Sequence, residues 1–484
     1  MPVNPELYFD WAATAIPDQD ILEAALKESL AAWANPSSVH AAGKEARAAL
    51  EKARSDCAAV LGVQAKQIFF TSGGTESDHI PLLAILNRPE KGNVAVSSIE
   101  HPALREMAEE LKKVGIECRL IPSDKNGFVT PEAVLQTVDA KTLFVSVMAV
   151  NNETGAVQPV KEIAAALEEA YKGKRKPRFH VDCVQALGKV PIDFLNEPGL
   201  DSAAFSAHKI CGPRGIGILY LKKEEEIFLR GGGQEGGVRS GTENLFGAIA
   251  FAKCLERHAI TGGKTKSAAR FEEQKEWTAS FIKGLLSIKG AAIIPEARGV
   301  LSQEGNSGAS GADDNGGGQE GGVRSGTENL FGAIAFAKCL ERHAITGGKA
   351  KSAARFEEQK EWTASFIKGL LSIKGCEIIP AARGVLSQEG NSGDDDNFSP
   401  WVVQASFNKI PGQVMLRALD AKGICVSTGS ACSSKKASRP ILEAMGVPAA
   451  QRETSVRFSF GPKTTRQGMQ ALLDAIKEVC AAFN

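Results

Sequence analysis

Arg178-Phe179-His180-Val181-Asp182 and Ser202-Ala203-Ala204-Phe205-Ser206-Ala207-His208-Lys209 decide how this 484-residue chain is read. Each is an apolar run of strand length that closes on reactive groups. The first ends in a carboxylate; the second ends in a hydroxyl, an imidazole and an amine. A strand-end Asp beside a strand-end Lys is the pair that a pyridoxal phosphate (PLP) site needs. The amine forms the Schiff base, and the acid keeps the pyridinium nitrogen charged so that the ring draws electrons. Taken alone, a Lys after a strand reads as a solvated surface charge. The neighbouring motifs decide between the two.

Outward from this pair, short apolar runs alternate with amphipathic stretches between about residues 60 and 225. Strands are expected at 67–71, 93–97, 143–150, 178–182, 202–206 and 216–221, with helices such as 102–114 and 160–171 between them. The fold class is therefore α/β: a large domain with a mostly parallel sheet covered by helices on both faces. Ligands in such folds sit at the carboxyl ends of the strands, where Thr75, Asn152, Asp182 and Lys209 all fall. The C-terminal portion reads as a smaller α+β domain. Strands are expected at 402–407 and 455–459, a short run at 424–427, and helices near 412–421 and 465–482.

Residues 231–308 recur almost verbatim at 316–393, an offset of 85. Four pairs differ: Thr265/Ala350, Ala291/Cys376, Ala292/Glu377 and Glu296/Ala381. Two copies of this length do not make a solenoid. Each copy carries one helical apolar stripe, Trp277/Phe281/Leu285/Ile288 and Trp362/Phe366/Leu370/Ile373. One fold has one slot for that stripe, so one copy is surplus, and contiguity does not say which. The expected organisation is an N-terminal segment 1–15 packing with the small domain, a large domain over 16–266, the tandem duplication, and a small domain over 394–484.

Composition removes several classes. Lys plus Arg and Asp plus Glu number 57 each, so no net charge points to nucleic acid or an anionic membrane. Met1-Pro2-Val3-Asn4-Pro5 lacks the blocks of a signal peptide, and no apolar run is long enough to span a bilayer. Ten cysteines show neither CxxC nor zinc-ligand spacing, which fits a reducing, cytoplasmic compartment.

Other strings carry chemistry of their own. Thr71-Ser72-Gly73-Gly74-Thr75-Glu76-Ser77 follows a strand and opens a helix, so its amides and the Thr75 hydroxyl suit a phosphate; the bland reading is a capped glycine turn. His101 starts the next helix, where an imidazole can stack on a planar ring or stand at the surface. Asn151-Asn152-Glu153-Thr154-Gly155 is a turn, or an amide reaching a ring hydroxyl, and Gln185 can donate to the same oxygen. In Ser427-Thr428-Gly429-Ser430-Ala431-Cys432-Ser433-Ser434 no apolar periodicity buries the thiol, so Cys432 reads as a nucleophile on an exposed loop. Arg457, within a strand, has the planar fork that clamps a carboxylate.

Together these strings resemble the cysteine desulfurases, fold-type-I PLP enzymes of the class V aminotransferase group. The resemblance also includes Asn35-Pro36-Ser37-Ser38-Val39-His40, Glu100-His101-Pro102, Gly212-Pro213-Arg214-Gly215 and the two RSGTEN strings at 239 and 324. Removing 85 residues from 484 leaves 399, about the size of a family member. The resemblance implies that Lys209 is the Schiff-base lysine, Asp182 the pyridinium partner and His101 the stacking ring, with Asn152 and Gln185 at the ring hydroxyl. It implies Gly74, Thr75, Ser206 and His208 at the phosphate, Arg457 (with Asn152) at the substrate and Cys432 at the transferred sulfur. In the family the Thr of RSGT reaches the phosphate of the other subunit in a homodimer; here Thr242 and Thr327 compete for that role. Trp11, Ala15 and Asp78 depart from the family pattern without removing a proposed catalytic group. The implied activity is conversion of L-cysteine to L-alanine with a persulfide left on Cys432, passed to an acceptor such as an iron–sulfur scaffold. Selenocysteine cleavage, another β-elimination, and a non-catalytic product of the duplication are the alternatives.

Overall fold

A computed structural model describes residues 8, 10–259, 266–294, 327, 329, 330, 332–335, 350–381, 383, 384, 398–428, 442, 443, 445–460 and 464–483. The chain parts into two units, Met1–Ala31 with Ala49–Leu330, and Ala32–Ala48 with Phe331–Asn484. Among the described residues, ten strands form one sheet in each unit.

The first unit holds β1 (Ile68–Thr71), β2 (Asn93–Ser97), β3 (Glu117–Ile121), β4 (Thr142–Ser146), β5 (Arg178–Asp182), β6 (Ser202–Ser206) and β7 (Gly217–Leu221), in the order β1-β7-β6-β5-β4-β2-β3. Strands β3, β2, β4, β5 and β6 pair in parallel, and β7 runs antiparallel to both β6 and β1. Every residue of β1, β2, β4, β6 and β7 is buried, as continuous apolar runs covered on both faces require. The helices are α1 (Gln19–Ala31), α2 (Ala41–Leu61, its residues up to Ala48 belonging to the second unit), α3 (Gly74–Leu83), α4 (Pro102–Glu110), α5 (Pro131–Thr137), α6 (Val160–Ala170), α7 (Leu245–His258) and α8 (Lys266–Leu286). Helix α3 lies on β5, β6 and β7, which fixes its first turn over the strand ends.

Two departures from the expected strands have local causes. The apolar run after β4 leaves the regular ladder at Ser146. It stays beside β5 through Val147 N donating to His180 O and Ala149 N donating to Asp182 O. Strand β3, missed in the sequence, sits at the sheet edge and is half exposed; its charged residues are what an unprotected edge needs.

In the second unit β8 (Cys376–Ile379), β9 (Val402–Phe407) and β10 (Ser455–Ser459) form an antiparallel sheet in the order β10-β9-β8. Its helices are α9 (Ala350–Leu371), α10 (Gly412–Asp420), α11 (Ala449–Glu453) and α12 (Arg466–Phe483). The core joins Phe366, Ile367 and Leu370 of α9 to Phe407, Phe458, Ile476 and Val479. The expected run at 424–427 is no strand; Ser427 makes a single bridge to Arg457.

The repeat is therefore divided. Copy one supplies α7 to the first unit, where Leu245, Ile249 and Phe251 are buried, and Glu235, which receives two hydrogen bonds from Arg54 and one from Phe70 N. Copy two supplies α9 and β8 to the second unit.

Candidate active site

The carboxyl ends of β1, β5 and β6 point the same way, and a cavity of about 590 Å³ opens there within the first unit. Asp182 closes β5, Ser206 closes β6, and one tight helical turn, Ala207–Lys209, carries His208 and Lys209 to the rim. The cavity brings together Gly74, Thr75, His101, Asn152, Asp182 and Gln185. Ser206, His208, Lys209 and Thr327 complete its lining.

The α3 end of the cavity suits an anion. The residue before the helix is Gly73, whose lack of a side chain leaves the first turn uncapped, and Gly74 and Thr75 of that turn line the cavity. Close approach depends on glycine. A Cβ on Gly217 would stand 2.6–2.7 Å from the Gly73 backbone, and one on Gly74 would stand 2.7 Å from Val184 Cγ2. His208 is pushed down to about 3 by burial, with the Lys209, Arg214 and Lys189 charges adding to it, so its ring is neutral near pH 7.

At the other end, Asp182 Oδ1 accepts from Val184 N at 2.8 Å. Burial raises the Asp182 carboxyl, while the His101 and Lys209 charges and the Val184 amide oppose that rise. Lys209 is lowered by burial and raised by Asp182 and Asp10. Its amine donates to the carbonyls of Ala12 and Ala13 at 2.5 and 2.8 Å. His101 caps α4, its Nδ1 accepting from Ala103 N at 3.2 Å, and burial lowers its pKa. A floor of amides for a phosphate, a buried acid for a ring nitrogen and a nearby amine for an aldehyde are the donor set that PLP requires, and the residues fit it.

The other candidate residues have these surroundings. Gln185 lines the cavity, but its amide donates to Ala12 O at 2.9 Å and its oxygen accepts from Lys189 Nζ at 2.5 Å. The described residues of the N-terminal segment bond within the first unit, Ala15 N donating to His208 O, where the sequence reading assigned that segment to the small domain. Thr242 is exposed and does not line the cavity. Arg457 lies in β10 of the second unit, where its buried Nε has no hydrogen-bond partner among the described residues. Cys432 lies outside the described residues.

Five side chains were given no role in the sequence reading. Thr14 Oγ1 lies 3.3 Å from His208 Nδ1. Lys189 is lowered to about 8 by burial and the Lys209 charge; its place four residues after Gln185, one helical turn, was the available signal. Burial raises the Asp78 and Glu100 carboxyls, with the Asp182 charge adding to it, and Glu100 reaches about 8. His180, pushed down to about 3 by burial, lies 3.1 Å from Asp78 Oδ1.

The family model described as "Aminotransferase class-V" matches residues 7–302 and 315–472, leaving out only the polar junction between the repeats and the two chain ends. "Cysteine desulfurase IscS" of Rickettsia bellii is 40% identical over 486 aligned residues, covering 99% of this chain and 91% of that protein. The protein of the same name from Clostridium botulinum strain Hall is 36% identical, covering 99% and 95%. A solved structure described as "NIFS-LIKE PROTEIN" superposes with a TM-score of 0.50 at 27% identity, covering 98% of this chain and 99% of that one.

Proposed function

Because the chain belongs to the aminotransferase class-V family and is a PLP-dependent cysteine desulfurase, we propose roles for the residues that the cavity assembles. The observation that carries the assignment is the Lys209 amine and the Asp182 carboxylate on one cavity whose far end is the uncapped first turn of α3. When bound, the cofactor supplies an electron sink for negative charge at the substrate Cα.

Gly74 and Thr75, with Ser206 and His208, hold its phosphate; a neutral His208 acts there as a hydrogen-bond donor rather than a counter-charge. Asp182 keeps the ring nitrogen protonated, and His101 presents its imidazole to the ring. Asn152 serves the ring oxygen and the substrate, with Gln185 orienting the same edge. Lys209, its amine less basic than a solvated lysine, takes the proton from Cα and returns it. The Arg457 guanidinium receives the substrate carboxylate through its planar fork.

Cys432 attacks the substrate sulfur as thiolate. The substrate Cβ–Sγ bond breaks, its electron pair and a proton remain on carbon, and the new S–S bond leaves a persulfide. Cysteine plus enzyme thiol thus becomes alanine plus enzyme persulfide, with no external oxidant. The sulfur then passes to an acceptor protein, for which an iron–sulfur scaffold fits the chemistry.

Borohydride reduction of the PLP-loaded protein followed by peptide mapping tests the assignment: the label is expected on Lys209, and a label elsewhere removes its foundation. Lys209→Ala is expected to lower alanine formation by about 10³-fold or more.

A further inference from the structure

Asp18, Cys211 and His258 come from three distant parts of the sequence and meet at one place in the first unit. Asp18 is the residue before α1, His258 is the last residue of α7, and Cys211 follows Lys209 by two positions. Each offers one ligand atom, an oxygen, a sulfur and a nitrogen, and these atoms lie within 4.8 Å of one another. None of the three lines the cavity described above.

The backbone holds this cluster together whatever its side chains do. Asp18 N donates to Cys211 O at 2.9 Å, which fixes the spacing of the two segments. Cys211 has φ +63, a left-handed conformation that a residue with a side chain keeps only where its surroundings hold it there. Asp18 Oδ2 lies 2.6 Å from His258 Nε2. The two side chains are 26% and 23% exposed, so an ion reaches them without any opening of the fold.

The charges leave room for a dication. Arg257 engages both oxygens of Asp20, at 2.9 and 2.7 Å, and reaches Asp18 at a longer 3.2 Å. Asp20 therefore balances the guanidinium. A Cys211 thiolate and the Asp18 carboxylate can then neutralise a divalent ion, with a neutral imidazole as third ligand. Burial raises the neighbouring Cys254 thiol, and the Asp18 and Cys211 charges add to the rise, as a concentration of negative charge at this spot requires.

We infer that Asp18, Cys211 and His258 form a site for a borderline-soft divalent metal ion, zinc foremost, that ties the start of α1 and the end of α7 to the loop after Lys209. Mixed sulfur, nitrogen and oxygen donors select zinc or cobalt over magnesium and calcium, which take oxygen. Ligand atoms around a tetrahedral zinc stand about 3.3–3.6 Å apart. That spacing lies between the 2.6 Å of the Asp18–His258 pair and the 4.8 Å that bounds the cluster. Water fills the fourth position, and the Cys211 thiol proton leaves to solvent on binding. The site owes nothing to the cofactor, so either can fail without the other.

The test is titration of the full-length protein with zinc, read by equilibrium dialysis, and with cobalt(II), whose visible bands report a tetrahedral site. The unmodified protein is expected to bind a zinc ion that Cys211→Ser, His258→Gln and Asp18→Asn each weaken about 100-fold or more. Its thermal midpoint is expected to rise with zinc and not with magnesium, and the three variants are expected to lose that rise. Arg257→Gln, which removes the cation facing Asp18, is expected to tighten zinc about 2- to 5-fold. Cys211→Ser and Asp18→Asn keep the size of the native side chains, so a folded variant is at hand even where His258→Gln is not. Zinc held as tightly by these variants as by the unmodified protein would put the ion elsewhere and overturn the inference. No zinc binding by the unmodified protein, an octahedral cobalt spectrum, or an equal rise with magnesium would overturn it as well.

Discussion

Helices α8 and α9 have the same sequence from Lys266 to Leu286 and from Lys351 to Leu371, yet one is a surface helix and the other a core helix. Phe281 is 66% exposed and its twin Phe366 3%; Trp277 is exposed and Trp362 is partly buried against the second unit's core. The first halves of the repeats show the reverse. Leu245 is 9% exposed in copy one and Leu330 is 53% exposed in copy two. The chain therefore fills its slots with the front of one copy and the back of the other. Between them, Trp277, Phe281 and Ile288 of copy one's second half stay exposed. This choice keeps the chain on either side in its natural connection, since α7 follows from β7 and α9 runs on into β8 and β9. The lesson is that an apolar stripe sets what a helix can bury, while connectivity sets which of two equal stripes buries it.

Paired substitutions are the sharpest way to break this comparison. Phe366→Ala should lower stability by about 3–5 kcal/mol, and Phe281→Ala by less than about 0.5 kcal/mol, read as denaturant midpoints. Equal losses would mean that the two helices share the slot. Next in size is the front half: Ile249→Ala should cost about 2–4 kcal/mol, while Ile334→Ala, on the exposed side, should be near neutral.

Excising residues 264–348, which joins the two used halves directly, should raise stability by up to about 2 kcal/mol, read from denaturant unfolding, because a much shorter loop closes at lower entropic cost. The smallest effect belongs to a position where the copies differ. Cys376 is buried in β8 and its thiol is pushed up to about 12, chiefly by burial. Cys376→Ala, which installs the residue found at Ala291, should cost only about 1 kcal/mol, and Cys376 should resist alkylation at pH 8 in the folded protein.

Much of the first unit was legible. Strands β2, β5 and β6 match their expected bounds because fully buried parallel strands read as unbroken apolar runs. Asp182, Ser206, His208 and Lys209 were legible for the same reason, since each sits at or just beyond the end of such a run. Strand β3 was not, because Glu117-Cys118-Arg119-Leu120 mixes charge into an edge. Gln185 illustrates another limit: its spacing from Asp182 was readable, but its engagement by Ala12 and Lys189 depends on a segment far away in sequence. The choice between Thr242 and Thr327 was beyond any reading of residues, since their local strings are the same.

The close approach of Gly217 to Gly73 has a consequence for what the protein tolerates. Even the smallest side chain on that antiparallel strand would force the turn before α3 to shift. A residue outside the cavity lining thereby sets where the Gly73 turn at the cavity's edge can lie.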